Sequence, residues 1–346
     1  MEELYCGIDF HKNKSWIYII DGKKNERVDV EIASAKVVAY LSVYKGLRIA
    51  LEATGGSNHL ATKLVDSGHV VTLVETNQFH PRNKKRGRKT DREDAISLCK
   101  YLRMEELPEV YLKTQASREL KTLLVQREHL INHRRNFTNH IRGILREYGL
   151  VMPVGTKAFW KYVGALIDRL DRPELKDLLN FSLQMAREIR TKEEELNRML
   201  ESKAENSPEA ARLMTIPGVG PMTALCMLAV VEDANRFADA RKFGAYLGLT
   251  PREFSSGDKQ RLGAITRSGP EMLRRYLIHG ARAVLMRSGP RLSSDPNRQW
   301  AERLKGRATL NKAVVALAHR TARIAYGVMK HGTAYDPRRV DHADAT

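Results

Sequence analysis

Residues 4–33 read Leu4-Tyr5-Cys6-Gly7-Ile8-Asp9-Phe10-His11-Lys12-Asn13-Lys14-Ser15-Trp16-Ile17-Tyr18-Ile19-Ile20-Asp21-Gly22-Lys23-Lys24-Asn25-Glu26-Arg27-Val28-Asp29-Val30-Glu31-Ile32-Ala33. Three runs rich in β-branched and aromatic residues stand out, 4–9, 16–20 and 27–32, separated by the turn-like stretches His11-Lys12-Asn13-Lys14 and Asp21-Gly22-Lys23-Lys24. Connections this short cannot hold a crossover, so the three strands are expected to be antiparallel. Further along, a helical stretch over 34–44, a strand over 47–51, a helix over about 57–67 and a strand over 69–74 alternate. Strands separated by helices are expected to be parallel. A last helix of this region follows a basic loop at 81–89.

Three antiparallel strands followed by helix-separated parallel ones is the strand order of the ribonuclease-H-like fold, an inference by analogy of pattern. The period then changes. Leu123, Leu130, Phe137 and Ile144 recur every seven residues, with Leu120, Ile141 and Tyr148 on the adjoining seam, which predicts a long, paired helix over 117–148. Arg127 and Arg134 interrupt that seam, so either the partner helix supplies carboxylates or this face meets phosphate. After Met152-Pro153-Val154-Gly155, Leu166, Leu170, Leu175, Leu178, Ile189, Leu196 and Leu200 are the apolar positions of a second helical stretch, giving an antiparallel hairpin that ends in the polar residues 201–208. The remainder to about Met329 reads as helical with Gly-rich breaks, and the tail beyond Asp336 as frayed.

Composition sets the partner class. The chain has 346 residues, 59 Lys plus Arg against 41 Asp plus Glu, and a formal net charge of +18, with 42% hydrophobic and 29% charged residues. That composition excludes a fibre, a disordered chain and a membrane protein. A cationic surplus of this size suits nucleic acid, an anionic membrane surface or an acidic protein. With the first strand starting at Leu4 and no run of about 18 apolar residues, a soluble, intracellular protein is expected. Cys6, Cys99 and Cys226 are too few and too far apart for a disulfide framework or a thiolate metal knuckle, and are expected to be small buried hydrophobes.

Four acids are the candidate chemistry. Thr90-Asp91-Arg92-Glu93 has capping-box spacing, and from it Asp91, Asp94, Ala95, Leu98, Cys99 and Leu102 fall on one helical stripe. The helix dipole alone accounts for Asp91. It accounts less well for Asp94, aimed at the core side, where a carboxylate is costly unless something binds it. Asp9 ends the first strand and Glu52 the fourth, both at the carboxyl edge where α/β sheets gather ligands. Four oxygen donors with no His or Cys close by select a hard cation, Mg2+ or else Mn2+, over Zn2+.

Two loops are candidates for contact with nucleic acid. Ile216-Pro217-Gly218-Val219-Gly220-Pro221 can present backbone N–H groups to phosphate, as in a helix-hairpin-helix, or be a plain capping turn. Residues 249–261, Leu249-Thr250-Pro251-Arg252-Glu253-Phe254-Ser255-Ser256-Gly257-Asp258-Lys259-Gln260-Arg261, precede Gly263-Ala264-Ile265-Thr266-Arg267-Ser268-Gly269. Such a loop can set a hydroxyl nucleophile among guanidinium groups, although Ser-Ser-Gly is in itself an ordinary turn.

In both halves and in order, these residues resemble the DEDD transposases of bacterial and archaeal insertion sequences, whose characterised members are bridge-RNA-guided recombinases. Gly7-Ile8-Asp9, Leu51-Glu52-Ala53-Thr54-Gly55-Gly56 and Lys89-Thr90-Asp91-Arg92-Glu93-Asp94-Ala95 look like the Asp, Glu, Asp and Asp motifs. Ile216-Pro217-Gly218-Val219-Gly220, Leu249-Thr250-Pro251-Arg252, Ser255-Ser256-Gly257 and Ile265-Thr266-Arg267-Ser268-Gly269 look like the C-terminal motifs, and coverage runs from about Tyr5 to Tyr335. Pro270 departs from the pattern, standing where members often carry Asn or Asp, which bears on where the next helix starts.

The resemblance implies an α/β plus α chain: a RuvC-like, ribonuclease-H-fold metal domain over 1–112, a coiled-coil helical insertion over 113–206, a mainly helical transposase domain over 207–335 and a tail over 336–346. It further implies that Asp9, Glu52, Asp91 and Asp94 bind Mg2+ and that Ser256 is the nucleophile, preferred to Ser255 because it precedes the glycine, with Ser268 third. The partners implied are DNA (transposon ends and target), a non-coding guide RNA and a second or further copy of the chain, as dimer or tetramer; no membrane is implied. The cations expected on nucleic acid are Arg82, Lys84, Lys85, Arg86, Arg88 and Lys89 before the acidic helix, and Arg252, Arg261 and Arg267 around the serine loop, with Gly218 and Gly220 at the glycine turn. Two other readings are a RuvC-type nuclease that hydrolyses branched DNA, with Ser256 only a turn residue, and a non-catalytic nucleic-acid scaffold.

Overall fold

The computed structural model describes residues 3–79, 90–254, 261–287 and 289–339. It divides into two compact units, residues 1–113 and 114–346.

In the first unit the hairpin reading of the opening stretch holds. Strands β1 (Leu4–Phe10), β2 (Lys14–Asp21) and β3 (Glu26–Ala33) are antiparallel neighbours, with Gly7 opposite Tyr18 and Ile17 opposite Val30. The stretch expected as a helix over 34–44 is shorter, a single 3-10 turn at 34–36 followed by α1 (Val37–Leu41). Then come β4 (Arg48–Glu52), α2 (Ser57–Asp66), β5 (Val70–Val74) and the one-turn α3 (Thr76–Phe79). Next are α4 (Asp91–Arg103) and a two-residue strand β6 (Glu109–Val110) that no sequence pattern announced. The sheet runs β3-β2-β1-β4-β5-β6, with β4 parallel to β1, β5 parallel to β4 and β6 antiparallel to β5. This mixed six-stranded order is consistent with a ribonuclease-H-like fold.

Strand alternation decides which side chains face which helix. Cys6, Ile8, Ile17, Ile19, Ile49 and Leu51 pack with Val37, Leu41, Leu60 and Leu64 of α1 and α2 on one face. Tyr5, Tyr18, Ile20, Ala50 and Val74 pack with Ala95, Leu98, Cys99 and Leu102 of α4 on the other. The parity of β1 thus places Gly7 and Asp9 on the α4 face, and that of β4 places Glu52 there. Glycine at position 7 lets the helix come close: a Cβ there would stand 2.0 Å from the Ala95 carbonyl oxygen and 2.6 Å from the Cys99 nitrogen. Gly7→Ala therefore has to push α4, with two of the four acids, off the sheet. A destabilisation of about 3 kcal/mol is expected from such overpacking, read as a lowered midpoint in thermal unfolding; an unchanged midpoint would show that α4 does not rest on Gly7.

The second unit is helical. It opens with α5 (Gln115–Glu147), α6 (Thr156–Asp168) and α7 (Pro173–Glu205). Then follow α8 (Pro208–Met214), α9 (Pro221–Val231), α10 (Ala240–Tyr246), a hairpin of β7 (Pro251–Glu253) and β8 (Leu262–Ile265), and α11 (Glu271–Met286). A short α12 (Pro290–Ser293), α13 (Pro296–Arg307) and α14 (Leu310–His331) complete it. The seam of α5 is displaced by one residue over most of its length. Leu123, Leu130, Phe137 and Ile144 are only half-buried, whereas Leu124, Thr138 and Leu145 are buried; Ile141, expected on the adjoining seam, is buried as expected. Both seam arginines are answered from α7: Arg134 Nε donates to Glu193 Oε2 at 2.6 Å and Arg127 Nε to Asn197 Oδ1 at 2.6 Å. The partner helix thus supplies a carboxylate and an amide rather than leaving this face to phosphate. The falling partner numbers make α5 and α7 antiparallel. On α7 the buried residue is Leu179, not Leu178, which is 55% exposed.

Among the described residues no helix is long and apolar enough to cross a membrane. Cys6, Cys99 and Cys226 are all buried thiols, as composition led one to expect.

Candidate functional site

The acidic centre is assembled at the carboxyl edge of β1 and β4. Their register pairs Gly7 with Ala50 and Ile8 with Leu51, so the next step brings Asp9 beside Glu52 on the α4 face. Thr90 caps α4 by accepting from the Glu93 amide at 3.2 Å, which fixes the first turn and with it Asp91 and Asp94. Arg92, the one base inside the acidic motif, turns away: its guanidinium grips the Asp29 carboxylate on β3, which also accepts from Trp16 Nε1 at 2.7 Å. That grip holds the Asp29 carboxyl below the usual range.

The electrostatics of Asp9 agree with this placement. Asp9 is 7% exposed, and its carboxyl is pushed up to about 6, by burial first, opposed by His11, and raised further by Asp91, Asp94 and Glu52. Three carboxylates close enough to resist the ionisation of a fourth are what a multivalent cation would relieve. The donor set therefore fits a divalent metal.

One member was missed in the sequence. His11 Nε2 stands 3.1 Å from Asp9 Oδ2 and 3.6 Å from Asp91 Oδ1, and these three side chains form the only metal-competent cluster among the described residues. The expectation that no His stands close to the acids is thereby corrected. His11 lies two residues beyond Asp9, just past the end of β1.

In the second unit, the turn at Gly218 serves packing. Its φ is +87°, and Gly218 and Gly280 of α11 meet backbone to backbone, a Cβ on Gly280 falling 2.0 Å from the Gly218 carbonyl oxygen. Gly220 is the exposed N-cap of α9.

The β7–β8 hairpin is anchored at its base. Thr266 N donates to the Thr250 carbonyl at 2.9 Å, and the buried Arg274 Nη1 donates to the Leu247 and Ser268 carbonyls at 3.1 and 2.7 Å. Gly248 and Gly269, both at positive φ, let the segments flanking the hairpin lie against each other: a Cβ at Gly248 would meet the Ser268 oxygen at 2.2 Å, and one at Gly269 the Tyr246 oxygen at 1.9 Å. Pro270 caps α11 without disturbing its start at Glu271. Arg252 reaches the Thr266 carbonyl at 3.4 Å, Arg267 has φ +58°, and Arg261 ends the described part of the hairpin by accepting from the Phe254 amide at 2.8 Å. Ser255 and Ser256 lie outside the described residues, as do Arg82, Lys84, Lys85, Arg86, Arg88 and Lys89. Beside the hairpin runs a groove of about 1150 Å3 with Leu262, Ile265, Ile278 and Val315 on its walls and Arg267, Arg275 and Lys312 among its cations. Arg275, which also pairs with Glu128, and Lys312 come from α11 and α14.

An α/β unit whose sheet edge gathers four carboxylates, joined to a helical unit with a basic hairpin, defines a DEDD-type transposase. Residues 6–150 match the family model of DEDD transposases of the IS110 type, and residues 210–296 match that of the transposase IS116/IS110/IS902 family. The transposase for insertion sequence element IS1111A of Coxiella burnetii is 31% identical, over 95% of this chain and 87% of its own length. That for IS1328 of Yersinia enterocolitica is 28% identical over 95% and 97%. The pilin gene-inverting protein of Moraxella lacunata is 26% identical over 98% and 99%. The chain belongs to the IS116/IS110/IS902 family of transposases, DNA-recombining enzymes of insertion sequences.

Proposed function

We propose that this transposase cuts and rejoins DNA strands at insertion-sequence ends through a phosphoserine–DNA intermediate, with Asp9, Glu52, Asp91 and Asp94 holding Mg2+ or Mn2+ and Ser256 as nucleophile. The observation that carries the metal half of this reading is the placement of Glu52, Asp91 and Asp94 around the buried Asp9, whose carboxyl is lifted to about 6 by burial first and further by those three acids. A divalent cation bound there would supply charge stabilisation for a phosphodiester during displacement.

The serine half is supported by the hairpin. Its anchored base and its groove cations, Arg267 and Lys312, suit holding a phosphodiester backbone. In the proposed step the Ser256 oxygen bonds to phosphorus while a phosphorus–oxygen bond to deoxyribose breaks, and the hydroxyl proton ends on the departing sugar oxygen. One phosphodiester replaces another, so a second sugar hydroxyl can reverse the step on a new strand without external energy. The acids and the serine belong to different units, so the reaction requires that they meet on one phosphate, within a chain or between copies in a dimer or tetramer. The named activity of the pilin gene-inverting relative, an inversion, is of the same rejoining kind.

Incubated with its co-purified RNA, element ends, target DNA and Mg2+, the protein is expected to give joined recombinants; free hydrolysed ends alone would favour a RuvC-type nuclease, and no cleavage at all a binding scaffold. Guidance by a structured non-coding RNA rests on the +18 charge and on the basic run Arg82, Lys84, Lys85, Arg86, Arg88 and Lys89. If those six cations meet phosphates, log affinity should fall against log salt with a slope of about −4 to −5 from them alone. Protein expressed with its flanking DNA should co-purify with one discrete element-encoded RNA, read by sequencing; its consistent absence would remove the guide from the account.

A further inference from the structure

The imidazole at the acidic centre has no place in a mechanism of four carboxylates, and its position asks for one. His11 follows β1, and its Nε2 faces two carboxylates at once, 3.1 Å from Asp9 and 3.6 Å from Asp91. One nitrogen cannot serve as an ideal hydrogen-bond donor to both, since a single N–H points one way. A cation set among the three would be served by all of them, because each offers one donor atom within 4.8 Å of the others. His11 is also accessible, its side chain 56% exposed, so packing does not hold the ring there. Arg92, which could have balanced the acids, is spent on Asp29.

Resting on the metal reading above, we infer that His11 is a nitrogen ligand of the metal centre, sharing one cation with Asp9 and Asp91, and that it biases the centre toward Mn2+ over Mg2+. The chemistry follows from ligand preference. Mg2+ favours oxygen donors in a strict octahedron and keeps its waters, whereas later divalent ions accept imidazole increasingly well. Asp9 is the rigid member, buried on the strand. Asp91, 60% exposed in the first turn of α4, is the adjustable one. His11, just past the end of β1, joins them from the strand side. Of the four acids, Glu52 and Asp94 are then left to a second position or to the far side of the same ion, with oxygen donors only.

The test uses the full-length protein, stripped of metal and reloaded with Mn2+ alone. Pulsed electron paramagnetic resonance of the wild type should show modulation from a directly bound 14N nucleus. His11→Ala should abolish that modulation and weaken Mn2+ binding by at least about tenfold, the scale on which perturbing a metal site's ligand shells acts. Mg2+ affinity should change little, so the preference for Mn2+ over Mg2+ should shrink by a similar factor. His11→Ala alters an exposed position beyond the strand, and an unchanged circular dichroism spectrum certifies its fold. Mn2+ bound by the wild type without a 14N signal, or a signal that survives in His11→Ala, would overturn the inference. Asp9→Asn separates the two levels: if Mn2+ binding does not depend on Asp9, the acidic centre itself is misread, whatever His11 does.

Discussion

Asp9→Asn and Asp94→Asn proteins are expected to fold, to bind DNA and to cut none of it. Asp9 stands on the buried strand and Asp94 on the first turns of α4, so each substitution removes a carboxylate from opposite walls of the same centre. Loss of a metal ligand forfeits several kcal/mol of transition-state charge stabilisation, and at 1.36 kcal/mol per decade cleavage should fall at least about a thousandfold. Stability should move the other way. The Asp9 carboxyl is raised in the folded state, to about 6, so between about pH 4 and pH 6 the folded protein binds more protons than the unfolded one. Without metal, stability should therefore fall as pH rises through that window, by on the order of 2 to 3 kcal/mol. Asp9→Asn should abolish that decline, and Mn2+ or Mg2+ should offset it in the wild type but not in the variant. Thermal unfolding across this pH range, with EDTA or with metal, reads both. A wild type indifferent to pH and metal, or a cleaving Asp9→Asn, would contradict a metal centre built on these acids.

The second large effect is an asymmetry between neighbouring serines. Ser256→Ala should lose recombination entirely while keeping DNA and RNA affinity, because a methyl group cannot attack phosphorus and the hairpin's anchoring through Arg274, Gly248 and Gly269 is untouched. Ser255→Ala should retain part of the activity. Recombinant yield in a plasmid assay measures both, and filter binding confirms that affinity survives. Equal losses at the two positions would mean that the loop's shape matters rather than one hydroxyl.

The sheet and the acidic centre were legible because strand alternation is a short-range signal. The parity of Leu4 to Asp9 and of Leu47 to Glu52 decides which side chains meet α4, and Thr90 announces where that helix starts. What escaped the sequence depended on partners far along the chain. The seam of α5 includes two half-buried arginines, Arg127 and Arg134, whose place there makes sense only once Asn197 and Glu193 stand opposite. A search for apolar heptads therefore settled on the neighbouring Leu123 register. Strand β6 has two residues and exists through pairing with β5, and the packing role of Gly218 shows only when Gly280 is seen against it. His11 was masked by its setting in a polar turn.

The most direct measurement is a denaturing gel of the wild-type protein reacted with end-labelled element DNA. A labelled band migrating with the protein, resistant to boiling in detergent, released by protease, absent in EDTA and absent from Asp9→Asn and Ser256→Ala, is the predicted result. Labelled DNA cut with the metal present but never joined to protein would contradict the serine mechanism, and cutting that persists in EDTA would contradict the acidic metal centre.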